Sequence, residues 1–140
     1  MYFVNTYRIW LARTLIGIVF IINVQSAVVF FANPARFAPT YELTGVSGQA
    51  AIRGFAVLFI MWNVPYFVAL INPIKYRVSL YEAIAMQIIG LTGESLILQS
   101  LPTEHTILRD SILRFIVFDG SGLVSLISAA WITKPDTEAL

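Results

Sequence analysis

Cysteine is absent from this chain, and histidine occurs once, as His105. The first absence excludes disulfides, thiolate catalysis, iron–sulfur ligation and cysteine-based zinc sites. It also excludes the four-helix thiol–quinone oxidoreductases, which need a CxxC pair. A single histidine rules out a bis-histidine haem within one chain and leaves a facial-triad metal site without its second imidazole. No metal site and no cofactor is expected. Charge is scarce too. Charged residues make up 12% of the 140 positions and the net charge is +1, against about 25% charged in an ordinary soluble domain. There is no electrostatic footprint for a nucleic-acid partner, and no Lys/Arg cluster marks a peripheral binder of anionic lipid.

What the chain has is apolar length. Hydrophobic residues are 58% of it, and they gather in four runs, at 9–32, 50–71, 80–101 and 107–133. Each is of roughly the 20 residues a helix needs to cross ~30 Å of hydrocarbon. The expected fold is all-α: an integral membrane four-helix bundle, up-down-up-down, forming a single transmembrane domain over 1–140. The lipid bilayer is its first partner. Run 9–32 exceeds the length of a signal-peptide core and lacks a small-x-small cleavage site, so it is expected to be a retained span.

Proline punctuates the runs. Asn33-Pro34, Asn72-Pro73, Leu101-Pro102 and Lys134-Pro135 close them, because proline cannot continue a helix and pushes its predecessor out of the α region. Residues 33–49 make the longest loop, ordered by turns and with room for a short interfacial helix. Thr103 is the expected N-cap of the last span. Four spans place both termini on one side. That side holds Arg8, Arg13, Lys75, Arg77 and Lys134; the other holds Arg36, Arg53, Arg109 and Arg114. The positive-inside rule then favours cytoplasmic termini by one residue, in a bacterial or archaeal inner membrane. Tyr2, Tyr7, Trp10, Tyr76, Tyr81 and Trp131 fall at the same end, as an interfacial aromatic belt does. Arg13, Asn23-Val24 and Asn33-Pro34 echo Arg53, Asn63-Val64 and Asn72-Pro73 about 40 residues on. With so few matches, chance similarity is the favoured account.

Polar residues within the spans are the candidate site. An ionised side chain in hydrocarbon costs roughly 2.5–3.5 kcal/mol on insertion scales, so each needs a partner or a wet cavity. Glu94 is deep in the third run, and Gln87, Gly90 and Glu94 share one helical face. Asp119 opens Asp119-Gly120-Ser121-Gly122, a weak helical stretch. It falls almost opposite a stripe of Arg114, Ser121, Ser125 and Ser128, so the helix either kinks there or meets partners on two faces. Asp110 and Arg114 stand at i,i+4, the spacing of an ion pair. Asn23 and Asn63 add uncharged polar groups, and Pro65 is expected to kink the second span. Two readings stay open. In one, Asp119 pairs with Arg53, Arg114 or an asparagine, or meets a partner subunit, Glu94 makes an interhelical hydrogen bond or ion pair, and the polar groups tie helix to helix. In the other, Asn23, Asn63, Glu94 and Asp119 face one central polar pocket, and these four with Gln87 and Arg114 are the candidates to bind a proton, cation or amphipathic ligand. His105, beside Glu104, is expected to be a solvated loop residue.

Arg13-Thr-Leu-Ile-Gly-Ile-Val-Phe in the first span, followed by Asn33-Pro34, Phe37, Gly45-Val46-Ser47-Gly48 and Gly54, resembles the DoxX-like superfamily of small four-span membrane proteins. Hydropathy and spacing agree over about residues 9–130. The acidic residue such proteins often carry in the second span is replaced by Trp62-Asn63, so the resemblance implies architecture rather than a ligand site. Some members resemble small subunits of quinone-linked membrane oxidoreductases. The lack of cysteine, of a second histidine and of a nucleophile–base set, together with large apolar surfaces that can meet other helices, makes a non-catalytic structural or accessory subunit of a larger membrane complex the expected function, with partner membrane subunits or a homo-oligomer. The resemblance adds an electron-transfer complex as one such assembly. The alternative functions are a ligand-, lipid- or proton-binding or transport bundle using Glu94 and Asp119, and an enzyme with no readable substrate.

Overall fold

The structure, a computed structural model, describes residues 6–134. Tyr2, Pro135 and the polar tail lie outside the described residues. Those described are all-helical: α1 (Thr6–Ala32), α2 (Pro34–Phe37), a 3-10 turn (Ala38–Tyr41), α3 (Gly45–Ile71), α4 (Arg77–Ser100) and α5 (Thr106–Ile132). The proline stops at Pro34, Pro73 and Pro102 act as expected. Pro34 ends α1 and opens α2, where its missing N–H costs nothing. At the α3–α4 corner, Asn72 Oδ1 accepts from the amides of Ile74 (3.1 Å) and Lys75 (2.9 Å), a side chain standing in for backbone.

The four long helices pack in a ring in which α1 touches α3 and α5, and α4 touches α3 and α5. Their directions alternate. At one end, Arg8 Nε donates to Ile132 O (2.8 Å), and Arg77 donates to the carbonyls of Thr133 (2.9 Å) and Ala130 (3.1 Å). At the opposite end, Arg109 donates to Leu98 O (3.0 Å) and Leu101 O (2.8 Å). Arg77 and Arg109 thus cover the last carbonyls of α5 and α4, where a cation also meets the negative end of the helix dipole. His105 and Glu42 join the two loops of that second end, Nδ1 to Oε2 at 2.5 Å. His105 is therefore a tie between loops as well as a partly solvated residue. It also stands at the N-cap of α5, without a side-chain cap bond. Thr103, the expected cap, is exposed upstream of the helix.

Two apolar clusters fill the ring. Near the first end, Ala12, Ile16, Val19, Tyr66, Ala69, Leu80, Ala83, Leu126 and Ala129 are buried together, and the alanines let the helices approach closely. Near the second, Phe30 is the hub of an aromatic nest, with ring centroids 4.6 Å from Phe37, 5.8 Å from Phe59 and 6.4 Å from Phe115. α2 and the 3-10 turn bring Phe37 and Tyr41 into that nest, which accounts for the order of this loop.

The outer surface is the reverse of a soluble protein's. Trp131 is 76% exposed, Val124 66% and Val117 65%. Apolar side chains facing outward along helices of this length are what a lipid environment stabilises. Helices α1, α3 and α5 are each long and apolar enough to cross a membrane, which marks the chain as a helical membrane protein. α4 falls short of that apolarity because Glu82, Gln87 and Glu94 interrupt it. Tyr7, Trp10, Tyr81 and Trp131 are exposed at the first end, where Arg13 stacks over Trp10 and Arg77 over Tyr81.

Candidate functional site

Between the two apolar clusters lies a seam of polar groups joining α3, α4 and α5. Tyr66 and Gln87 are almost fully buried, at 2% and 3% exposure. The Tyr66 hydroxyl lies 2.5 Å from Gln87 Oε1 and 3.2 Å from Ala83 O, so its one proton faces two acceptors. The Gln87 amide is oriented by this contact: its carbonyl accepts from tyrosine, so its Nε2 donates to Asp119 Oδ1 at 3.1 Å. The chain Tyr66–Gln87–Asp119 has one direction and crosses three helices.

Two glycines make the α4–α5 approach possible. A Cβ at Gly90 would collide with the Asp119 carboxylate, and a Cβ at Gly122 would collide with the Gln87 amide. Gln87 and Gly90 are three residues apart on α4; Asp119 and Gly122 are three apart on the antiparallel α5. Each helix inserts a polar side chain into the space left by the other's glycine. This reciprocity accounts for the low-propensity stretch 119–122: its glycine at 122 is buried against α4 and α5 runs through it as continuous helix. The kink offered as one route for Asp119 to turn inward is not needed, because Asp119 and Gly122 share the face that meets α4.

The remaining candidates are dispersed around this seam. Glu94 is half-buried, with Oε2 enclosed and lacking a hydrogen-bond partner. It lies in the neighbourhood of Asp119 and of the Tyr41 phenol. Asn63 is buried, but its Nδ2 donates to Phe59 O in its own helix (2.6 Å), leaving Oδ1 enclosed and unpartnered. That bond sits two residues before Pro65, which α3 accommodates within its helix. Asn23 is half-buried on α1 and takes no part in the seam. Arg114 is exposed, and its bonds run to Asp110 O (3.3 Å) and Ser111 Oγ (3.1 Å).

Several expected pairings therefore do not form. Asp119 makes no ion pair with Arg53 or Arg114; its partner is the neutral amide of Gln87. Arg114 engages the backbone of Asp110 rather than its carboxylate. Ser121 and Ser128 return their hydroxyls to Phe118 O and Val124 O in the preceding turn. Tyr66 was not legible as a site residue from an aromatic-belt reading. Its signal was its position three residues after Asn63 inside a span, on the same helical face.

Tyr41 lies outside the long helices. Burial pushes its phenol above the ordinary tyrosine range, with the Glu94 charge adding to the rise and the Arg114 charge opposing it. No group of three or more His, Asp or Glu able to hold a metal occurs among the described residues. No protein-family model, curated protein or solved structure matches the chain.

Proposed function

We propose that the chain is a non-catalytic membrane protein whose four long helices, α4 included, cross the bilayer, and that it serves as an accessory subunit of a larger membrane assembly. The observation that carries this reading is the use to which the interior polar groups are put. Asp119 and Gln87 occupy each other's glycine gaps and, with Tyr66, satisfy one another. These groups hold helices together instead of lining a substrate chamber. α4 belongs among the spans on this reading because its length of 24 residues gives about 36 Å of rise, and because Gln87 and Asp119 are bonded inside the ring. The similarity to DoxX-like proteins around Arg13–Phe20 and Asn33-Pro34 supports the same architecture. The Lys/Arg distribution, five at the end near Thr6 and Ile132 against four at the other, supports placing that first end in the cytoplasm.

Extraction of the protein from its own membrane in mild detergent, followed by native mass spectrometry, tests the accessory role. Co-release with other subunits, in a particle far heavier than the 15.6 kDa chain, is the expected result. Release as a lone monomer refutes the role. A second reading, a ligand- or proton-binding bundle, is favoured by one specific observation: the enclosed oxygens Glu94 Oε2 and Asn63 Oδ1 have no partner in the fold. Buried polar atoms of this kind are rare and call for a ligand, a water or a proton. On that reading Glu94→Gln abolishes a ligand-induced rise in melting temperature. An unchanged rise removes Glu94 from the binding site.

A further inference from the structure

We propose that the outer face of α5 around Arg114 binds the headgroup of an ethanolamine-type phospholipid, a phosphate bearing a primary ammonium. The proposal rests on α5 lying across a bilayer. Arg114 stands eight residues into α5, about 12 Å along the axis, and is exposed. A guanidinium there needs a counter-charge or a route to the interface. The fold supplies the route: Nε reaches back to Asp110 O and Nη2 to Ser111 Oγ, so the side chain bends toward the start of the helix. Ser111 is itself fixed, donating to Thr40 O at 2.6 Å. The fold does not supply the counter-charge, since no carboxylate among the described residues forms an ion pair with Arg114. The guanidinium keeps donors free for an anion.

Asp110, Leu113, Arg114 and Val117 line one shallow groove open to the outside. Leu113 and Val117 are 48% and 65% exposed. From the middle of the helix outward, the groove presents an apolar residue (Val117), then a cation (Arg114) with Leu113 beside it, then an anion (Asp110). A phospholipid with an amino headgroup presents the complementary order from its tails outward: acyl chain, phosphate, ammonium. The ammonium can donate hydrogen bonds to Asp110; a quaternary choline cannot. A purely anionic headgroup would satisfy Arg114 and face repulsion from Asp110. The match in sign and sequence selects the zwitterion with a free amine.

The test is lipid retention by the isolated chain in nanodiscs of equal phosphatidylethanolamine, phosphatidylglycerol and phosphatidylcholine, read by native mass spectrometry. The wild type is expected to keep phosphatidylethanolamine in preference to both others. Arg114→Ala should lower its retention roughly fivefold, as expected for one basic residue at a lipid phosphate. Asp110→Asn should leave phosphate-dependent retention in place and erase the preference over phosphatidylglycerol. Arg53→Ala, an exposed arginine equally far into α3, should change nothing. No preference in the wild type, retention by Arg114→Ala, or an equal loss in Arg53→Ala overturns the proposal. A chain that fails to enter the nanodisc overturns the membrane placement and this site with it. Because the isolated chain is used, the presence or absence of partner subunits does not affect the result.

Discussion

Replacing Gly90 with alanine should destabilise the bundle, although helix propensity alone favours the change by about 1 kcal/mol. The new Cβ falls on the Asp119 carboxylate, with Cγ also only 3.3 Å away. Turning Oδ2 out of the way swings the rigid carboxylate as a whole, and with it the Oδ1 that accepts from Gln87. The Gln87 amide is then orphaned in a site 3% exposed. An unsatisfied buried donor costs about 1–3 kcal/mol, and overpacking a close helix contact costs about as much. The two overlap, because moving the carboxylate relieves the clash. Against the propensity gain, the net loss is about 1–2 kcal/mol. Gly93→Ala is the control: its Cβ would meet nothing within 4 Å, so it should be neutral or slightly stabilising. Gly90→Ala combined with Asp119→Ala should show a favourable coupling of about 1 kcal/mol or more, as contacting residues do. The assay is reversible unfolding in mixed detergent micelles, followed by circular dichroism. A Gly90→Ala protein as stable as Gly93→Ala would refute the interlocked seam.

Other consequences follow from the same geometry. Tyr66→Phe removes the donor that orients Gln87 and should cost about 1 kcal/mol in the same assay; in a Gln87→Leu background, where the hydroxyl keeps only Ala83 O at 3.2 Å, it should cost less. The loop tie should respond to pH in a defined window. Its hydrogen bond to Glu42 raises the His105 pKa, and the same bond lowers that of Glu42. The stabilisation from His105 is complete below the ordinary histidine value and is lost as pH rises through the raised one. That from Glu42 is present above the ordinary glutamate value and is lost as pH falls through the lowered one. Since His105 is the only histidine, its NMR titration is unambiguous. Glu42→Gln should return it toward about 6.5; an unmoved titration would mean that the tie does not form.

Helix ends were legible where proline or an Asn-Pro pair dictated them. The ends of α1 and α3 fall at residues 32 and 71, as the sequence predicts. The start of α3 was not legible: Gly45 to Gly48 read as turn chemistry, yet the helix begins at Gly45, and Gly48 is buried against Leu43 and Ala38. Local propensity favoured a loop there, and tertiary packing outweighed it. At the site, the shared face of Gln87, Gly90 and Glu94 was visible from spacing alone, and so was the depth of Asp119. Which partner Asp119 takes was not visible, because charge rules favour arginine. The outcome was decided by shape: Gly90 offers a cavity of the right size, and the arginines project outward. The role of Tyr66 was not legible because tyrosines near span ends usually mark an interface, whereas this one turns its hydroxyl inward.

On the proposed reading α4 crosses the membrane despite its acids, with Gln87 sealed between α3 and α5. Because the chain contains no cysteine, single introduced thiols report without background. Lys75→Cys and Glu104→Cys flank α4, and a membrane-impermeant maleimide applied to sealed vesicles of one orientation reads their sides. The account predicts that one position labels from outside and the other only after the vesicles are opened. Labelling of both from the same side would contradict it.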